Sequence, residues 1–574
     1  MNREDGPLML QGDLTVLLDE RHPKADAARE KLSQFADLIK RPGHIHTYRM
    51  TPLSLWNAAA SQLSAADIIA WLKQYSRYEL PLRSISQIRM LAERYGQLML
   101  ERSTDGGLLL HGNEVLLQML SQQSSIRSYL SAGQREGQRA ARADCRGLLK
   151  QELVRLGYPV VDGAGYRRGE ELTVGLRCRI GSGSQFELRD YQEHAVNMFY
   201  RADRDDGGSG VLVLPCGAGK TVIGIAAIAR LGCETLILTS NVTSVKQWKQ
   251  ELIDKTTLAD HEIGEYAASC KQVCPVTIAT YQILTYKHQR SDEYAHMKLF
   301  QERNWGLIIY DEVHLLPAPV FRMTADLQAT RRLGLTATLI REDGREEDVF
   351  SLIGPKRFDM PWKTLESAGA IAAAECFEIR VPFAHGDRAA YDNAEARTKA
   401  RLAGENKEKL ETVKWLLSMH PGRQILIIGQ YLQQLHAAAA ALHAPLLTGE
   451  LPHQEREKLY KRFKDGEIEV LVVSKVANFA VDLPDAAVAI QLSGSYGSRQ
   501  EEAQRIGRIL RPKRSDNRAW FYTLVTEGTK ETEFARKRQL FMLEQGYPYD
   551  ICCWQPSIGR TVKESPAQIE EAAQ

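Results

Sequence analysis

The sequence predicts an α/β protein: two parallel-sheet domains in tandem, preceded by a helical N-terminal domain and a small α+β domain. Three observations predict it. From about residue 186, short near-continuous apolar runs alternate with amphipathic stretches, as strands buried on both faces do between helices. The runs form two series, GVLVL, TLILT, VTIAT, GLIIY and LGLT, then, beyond about residue 370, QILIIG, EVLVVS, VAIQLS and AWFYTLV. A chain of 574 residues is also too long for a single core. The boundaries expected are 1–105 (helical), 106–183 (small α+β), 184–368 and 369–550 (the two sheets), and a loose polar tail at 551–574.

Residues 1–105 read as helices. In TPLSLW, Thr51 is an N-cap with Pro52 at the first helical position, and Ser84 with Gln87 has the capping-box spacing. Ile85, Ile88, Leu91 and Tyr95 continue a helical stripe to Gly96, and Gly106-Gly107 marks a boundary. Between 106 and 183, GLLLHG and LTVGLR flank a helix on which Arg135, Arg139, Arg142, Arg146 and Lys150 recur at spacings of four and three. One face would then be positive, as a phosphate-facing stripe or as a solvated surface. Gly133, Gly137 and Gly147 weaken that helix.

With 74 Lys+Arg against 72 Asp+Glu, net charge identifies no partner, so a nucleic-acid surface has to come from local placement of charge. No secretory leader is visible and no run approaches the roughly 18 apolar residues of a membrane span. A cytoplasmic protein without membrane partners is expected. Nine scattered cysteines fit reduced thiols. Cys233, Cys270 and Cys274 lack a fourth ligand at metal-site spacing, which favours packing over a metal.

LPCGAGKT at 214–221 is nearly a phosphate-binding loop, with Leu214 where the usual first glycine stands. The phosphates are held by backbone N–H groups, so Gly217, Gly219, Lys220 and the metal-binding hydroxyl of Thr221 keep the working parts. GLIIYDEVH then delivers Asp311 and Glu312 at the carboxyl end of a strand, Asp311 for Mg²⁺ and Glu312 for the attacking water. In EEAQRIGRILRPK, Arg505, Arg508 and Arg511 recur at intervals of three, either as a basic surface or as groups that meet charge developing on the γ-phosphate. Together these predict ATP and Mg²⁺ as cofactors.

In order and in detail, the motifs resemble superfamily 2 helicases of the XPB family, from about residue 186 to 550. The resemblance implies two RecA-like domains and an ATP-dependent 3′ to 5′ DNA helicase or translocase, likening 107–180 to a damage-recognition domain. FELRDYQ is similar to the segment whose Arg189 and Gln192 would contact adenine. LPCGAGKT is the family's form of the loop, so Pro215, Cys216, Gly217, Ala218, Gly219, Lys220 and Thr221 would hold nucleotide, with Asp482 near the ribose. SNVTSVKQW implies DNA-backbone contacts from Asn241, Val242 and Ser244, to which Thr280, Tyr281, Ser474 and Lys475 are added. Trp248 would stack on a base or pack in the core. DEVH supplies His314, and Thr336, Ala337 and Thr338 would couple hydrolysis to movement. Arg341, Glu342 and Asp343 match the strand-separating Arg-Glu-Asp motif. Gln504, Arg505 and Arg508 take the places of the sixth motif.

The thumb of archaeal relatives shrinks here to RTKARLAGENKEKLETVKWLL, Ala480 replaces a common glycine, and no four-cysteine iron–sulfur pattern precedes the acidic motif. The partners implied are single-stranded or forked DNA and a nuclease or a repair or transcription protein. A duplex translocase that never parts strands, and an ATP-gated DNA-binding scaffold, would use the same residues.

Overall fold

The apolar runs of both series become strands, whereas LTVGLR forms none and makes only an isolated bridge from Leu176 to Thr256. The computed structural model describes residues 6–40, 44–103, 106–133, 135–180, 183–201, 207–268, 270–287, 294–328, 330–339, 344–383, 387–474, 486–494, 499–507, 509–513 and 516–563. It divides into two units, residues 1–37, 47–214 and 219–360, and residues 38–46, 215–218 and 361–574.

The N-terminal region is not purely helical. Strands β1 (Leu8–Leu10), β2 (Thr15–Asp19), β3 (Asp37–Lys40) and β4 (Ile45–Arg49) form a sheet of order β1-β2-β4-β3. The strands are too short for a clear period, yet Leu8, Val16 and Leu18 are fully buried. Helices Pro52–Ala60, Ala65–Tyr75 and Leu82–Ala92 follow. Thr51 caps the first as expected: its Oγ1 accepts from Ser54 N at 3.1 Å, and Ser54 Oγ accepts from Thr51 N at 2.9 Å. Ser84 caps nothing. The third helix starts after Pro81, and the Ser84 hydroxyl donates to Gln11 O at 3.0 Å.

The next sheet, of order β7-β8-β6-β5-β9, comprises β5 (Leu98–Arg102), β6 (Leu108–His111), β7 (Leu130–Ala132), β8 (Gln138–Ala141) and β9 (Val160–Asp162). Gly106 lies in the turn of the antiparallel β5–β6 pair, with φ +87°. A division at 105/106 would therefore fall inside one hairpin. The five-residue basic stripe is also corrected. Gly133 and Gly137 make the β7–β8 hairpin, where a Cβ on Gly133 would strike Gln138 O, and the helix begins only at Arg146. Arg139 sits on β8 and binds Glu114 (Nη2–Oε1 2.5 Å), while Arg142 pairs with Asp144.

Arg146 and Lys150 are buried on Asp162, at 2.6 and 2.9 Å, and Lys150 Nζ reaches Gln328 Oε1 at 2.8 Å. Gly147 packs so closely on Ala325 O that no Cβ would fit, and Trp56, Val154 and Phe350 form a shared apolar cluster. Breaking a buried ion pair by removing one partner costs about 3–5 kcal/mol. Asp162→Asn is expected to bring forward the first thermal unfolding transition, seen as early loss of protection in hydrogen exchange over 146–162. Unchanged protection there would refute the role given to the cluster.

The first large sheet is wholly parallel: β10 (Ser209–Val213), β11 (Thr235–Thr239), β12 (Ile263–Tyr266), β13 (Val276–Thr280), β14 (Leu307–Asp311), β15 (Arg331–Thr336) and β16 (Lys356–Asp359), in the order β12-β13-β11-β14-β15-β10-β16. The second comprises β17 (Ala373–Val381), β18 (Ile425–Ile428), β19 (Leu446–Leu447), β20 (Val470–Val473), β21 (Val488–Gln491), β22 (Arg518–Thr526), β23 (Tyr549–Gln555) and β24 (Arg560–Lys563), in the order β19-β20-β18-β21-β22-β17-β23-β24. Its strands pair in parallel except for β24 against β23. The supposed tail after 551 thus contributes to the sheet as far as Lys563. The charged stretch in place of the thumb folds as helices Ala396–Gly404 and Glu408–Met419, and Lys409 is buried on Glu531 at 2.8 Å. Among the described residues no helix is long and apolar enough to cross a membrane.

Candidate nucleotide-hydrolysis site

Leu214 extends β10: its N–H donates to Thr336 O at 3.0 Å and its side chain is buried. The position that lacks glycine is therefore a strand end, where a leucine fits. The loop turns through Gly217 and Gly219, both at positive φ (84° and 77°), into helix Lys220–Leu231. Pro215 and Ala218 are buried, Cys216 and Thr221 half-buried. A Cβ on Gly219 would lie 2.5 Å from Gln192 Nε2. Gln192 is itself pinned, its Oε1 accepting from Arg189 N at 3.0 Å at the start of helix Asp190–Tyr200. Both residues assigned to adenine thus stand beside the loop.

Lys220 Nζ donates to Leu214 O at 3.5 Å and lies 3.9 Å from Glu312 Oε1. Asp311 ends β14, on the strand between β11 and β15. Burial, and then the Glu312 charge, push its carboxyl up to about 6. In the protein alone its ionisation costs stability as pH rises through that value; a divalent cation beside it would supply countercharge. Glu312 takes a left-handed conformation, φ +51°, costly for a residue with a Cβ. Its Oε2 is buried without a hydrogen-bond partner; His314 Nδ1, at 3.6 Å, is too distant to bond it. An orphaned acceptor beside a lysine fits a site that receives a water proton, and the loop, Asp311 and Glu312 together fit Mg²⁺ and a nucleoside triphosphate. His314 Nδ1 bonds Thr336 Oγ1 at 2.7 Å, and Thr336 Oγ1 accepts from Thr338 N at 3.1 Å. With Ala337 also buried, the coupling segment assigned from the sequence meets the acidic motif directly.

Comparison with known proteins places the ERCC3/RAD25/XPB C-terminal helicase domain at residues 365–571, a "Helicase conserved C-terminal domain" at 8–133 and the type III restriction enzyme res-subunit domain at 185–341. A protein of Kineococcus radiotolerans named "DNA 3'-5' helicase XPB" is 50% identical over 551 residues, 95% of this chain and 96% of the relative. The chain belongs to the XPB family. A Mycobacterium tuberculosis protein of the same name is 49% identical, over 95% of this chain and 98% of its own length. The Saccharomyces cerevisiae "General transcription and DNA repair factor IIH helicase/translocase subunit XPB/SSL2" is 30% identical, over 94% and 71%.

Of the residues assigned to DNA in this XPB-family chain, those that follow β11 and β13 stand at the same sheet edge as Asp311. Asn241 follows β11 and caps helix Val242–Lys255, its Oδ1 accepting from Ser244 N at 2.9 Å. Thr280 ends β13 and caps the turn Tyr281–Leu284. Since β13, β11 and β14 are neighbours, these carboxyl ends stand beside Asp311. In the second unit Ser474 is buried after β20, and Gln504 is buried on helix Arg499–Gly507. Arg505 is wholly buried, its guanidinium on Gln491 Oε1 of β21. For Arg505 this rules out the basic-surface reading of the stretch. Arg341, Glu342, Asp343, Lys475, Asp482 and Arg508, like Ala480, lie outside the described residues.

Trp248 packs in the core, at 1% exposure, as one of its two readings had it. Sequence reasoning missed that its indole N–H donates to Asp311 Oδ2 at 2.9 Å and that the Tyr281 hydroxyl donates to Asp311 O at 3.0 Å. One signal was present. Gly224 interrupts a helix, and a Cβ there would come within 2.5 Å of Trp248 Cη2. Cys233 and Cys274 are buried, as packed cysteines are, whereas Cys270 is exposed.

Proposed function

We infer that this XPB-family protein is an ATP-dependent 3′ to 5′ DNA helicase. The observation that carries the reading is the meeting of Lys220, Asp311 and the orphaned Glu312 Oε2 at the sheet edge that also ends in Asn241 and Thr280. Bound ATP with Mg²⁺ supplies the free energy and the electrophilic phosphorus. Lys220 binds the terminal phosphates, Thr221 and Asp311 hold the cation, and Glu312 orients the water and takes its proton. Gln504 and Arg508 stabilise charge developing on the transferred group, while Arg505 holds the helix that carries Gln504 to its sheet. Arg189 and Gln192 receive adenine, and Asp482 the ribose. His314 and Thr336–Thr338 pass the state of the acidic motif to the neighbouring strand end. Asn241, Val242, Ser244, Thr280, Tyr281, Ser474 and Lys475 track DNA phosphates without reading sequence, and Arg341, Glu342 and Asp343 part the strands. Free thiols support a cytoplasmic setting, and the relatives' names support a partner among nucleases or repair and transcription proteins.

The test is strand separation. The protein is expected to unwind a 3′-tailed duplex with ATP and to leave a 5′-tailed one intact. Because the yeast relative is named helicase/translocase, a duplex translocase is the second reading, and triplex displacement without unwinding of either duplex would favour it. ATP hydrolysis indifferent to DNA would defeat both.

A further inference from the structure

Asp311 is held from two directions by the segments assigned to DNA. Trp248, on the helix that Asn241 caps, bonds its carboxylate; Tyr281, in the turn that Thr280 caps, bonds its main-chain oxygen. The contact has been given room. Gly224 sits in the middle of helix Lys220–Leu231, where only the absence of a Cβ lets the indole pass, and such a glycine costs a helix about 1 kcal/mol relative to alanine. The indole N–H is a donor only and carries no charge. Unlike Lys220, it can therefore orient the Asp311 carboxylate without neutralising it, leaving the full negative charge and the other oxygen to face a cation. Trp248 lies seven positions after Asn241, about 10 Å along a helix at roughly 1.5 Å per residue. One rigid rod thus runs from the DNA-assigned cap to the carboxylate.

We propose that Trp248 is a positioning residue: its N–H sets the Asp311 carboxylate for the divalent cation that accompanies ATP, and its helix makes cation affinity depend on bound DNA. The inference rests on the site assignment above, and a binding measurement separates the two. A fluorescent, non-hydrolysable ATP analogue is bound to the full chain while Mg²⁺ is titrated, with and without a single-stranded oligonucleotide. In the unmodified protein DNA lowers the Mg²⁺ concentration at half-saturation. Trp248→Phe raises that midpoint about 10-fold, the lower end for loss of a group supporting a metal ligand, and abolishes the DNA effect, while nucleotide affinity without Mg²⁺ is unchanged. A midpoint that does not move, or affinity that falls equally with and without Mg²⁺, overturns the proposal, the second outcome showing a packing role only. Asp311→Asn is the control. If it leaves the midpoint in place, the site assignment itself is wrong; if it shifts the midpoint and Trp248→Phe does not, only the role of Trp248 is wrong. Should Trp248→Phe fail to fold, naphthylalanine at 248 keeps the bulk, lacks the N–H and is read the same way.

Discussion

Arg508→Ala slows single-turnover ATP hydrolysis by about 10³–10⁵-fold, the range for loss of an arginine that meets charge on the transferred phosphoryl, and leaves nucleotide affinity nearly as it was. Arg505 provides the contrast. It is three residues away and chemically identical, yet its guanidinium is buried on Gln491. Removing it strands a buried acceptor and empties a large packed volume, so Arg505→Ala is expected to lower the unfolding temperature of the second unit before it affects chemistry. Quench-flow kinetics beside calorimetry separate the two variants. An Arg508→Ala enzyme with ordinary turnover would remove that residue from the mechanism, and equal thermal loss in both variants would refute the contrast.

Glu312→Gln lowers turnover by about 10²–10⁴-fold, as expected for a lost general base, while ATP and DNA stay bound together. The amide keeps the shape and the left-handed turn but has no carboxylate to take a proton. Around it Lys220, His314 and Thr336 are untouched, so binding persists. Retention of labelled ATP and DNA on the same molecules, measured after turnover is quenched, checks this. Prompt release of nucleotide from the variant would mean that another group serves as the base.

How much of this was legible depended on the range of the interactions. Strands such as Thr235–Thr239 and Leu307–Asp311 are continuous apolar runs, and their composition carries them. β17 is central in its sheet yet unreadable as an apolar run, because Glu378 and Arg380 lie inside it, buried and paired at 3.2 Å, with Gln539 on the same carboxylate. The stripe from Arg135 to Lys150 showed a true spacing on a false helix, since two glycines turned the chain back on itself. The phosphate loop and the acidic motif are contiguous and were readable. The bond from Trp248 to Asp311 spans 63 residues and exists only once β11 and β14 are side by side.

The seating of Arg146 and Lys150 on Asp162, with Gln328 beneath and the tryptophan–phenylalanine contact alongside, has a mechanical meaning. A joint braced by buried ion pairs resists bending as a hinge would not. A load borne by the five-stranded sheet would pass through these contacts into the sheet that ends at the phosphate loop rather than be absorbed by a slack tether.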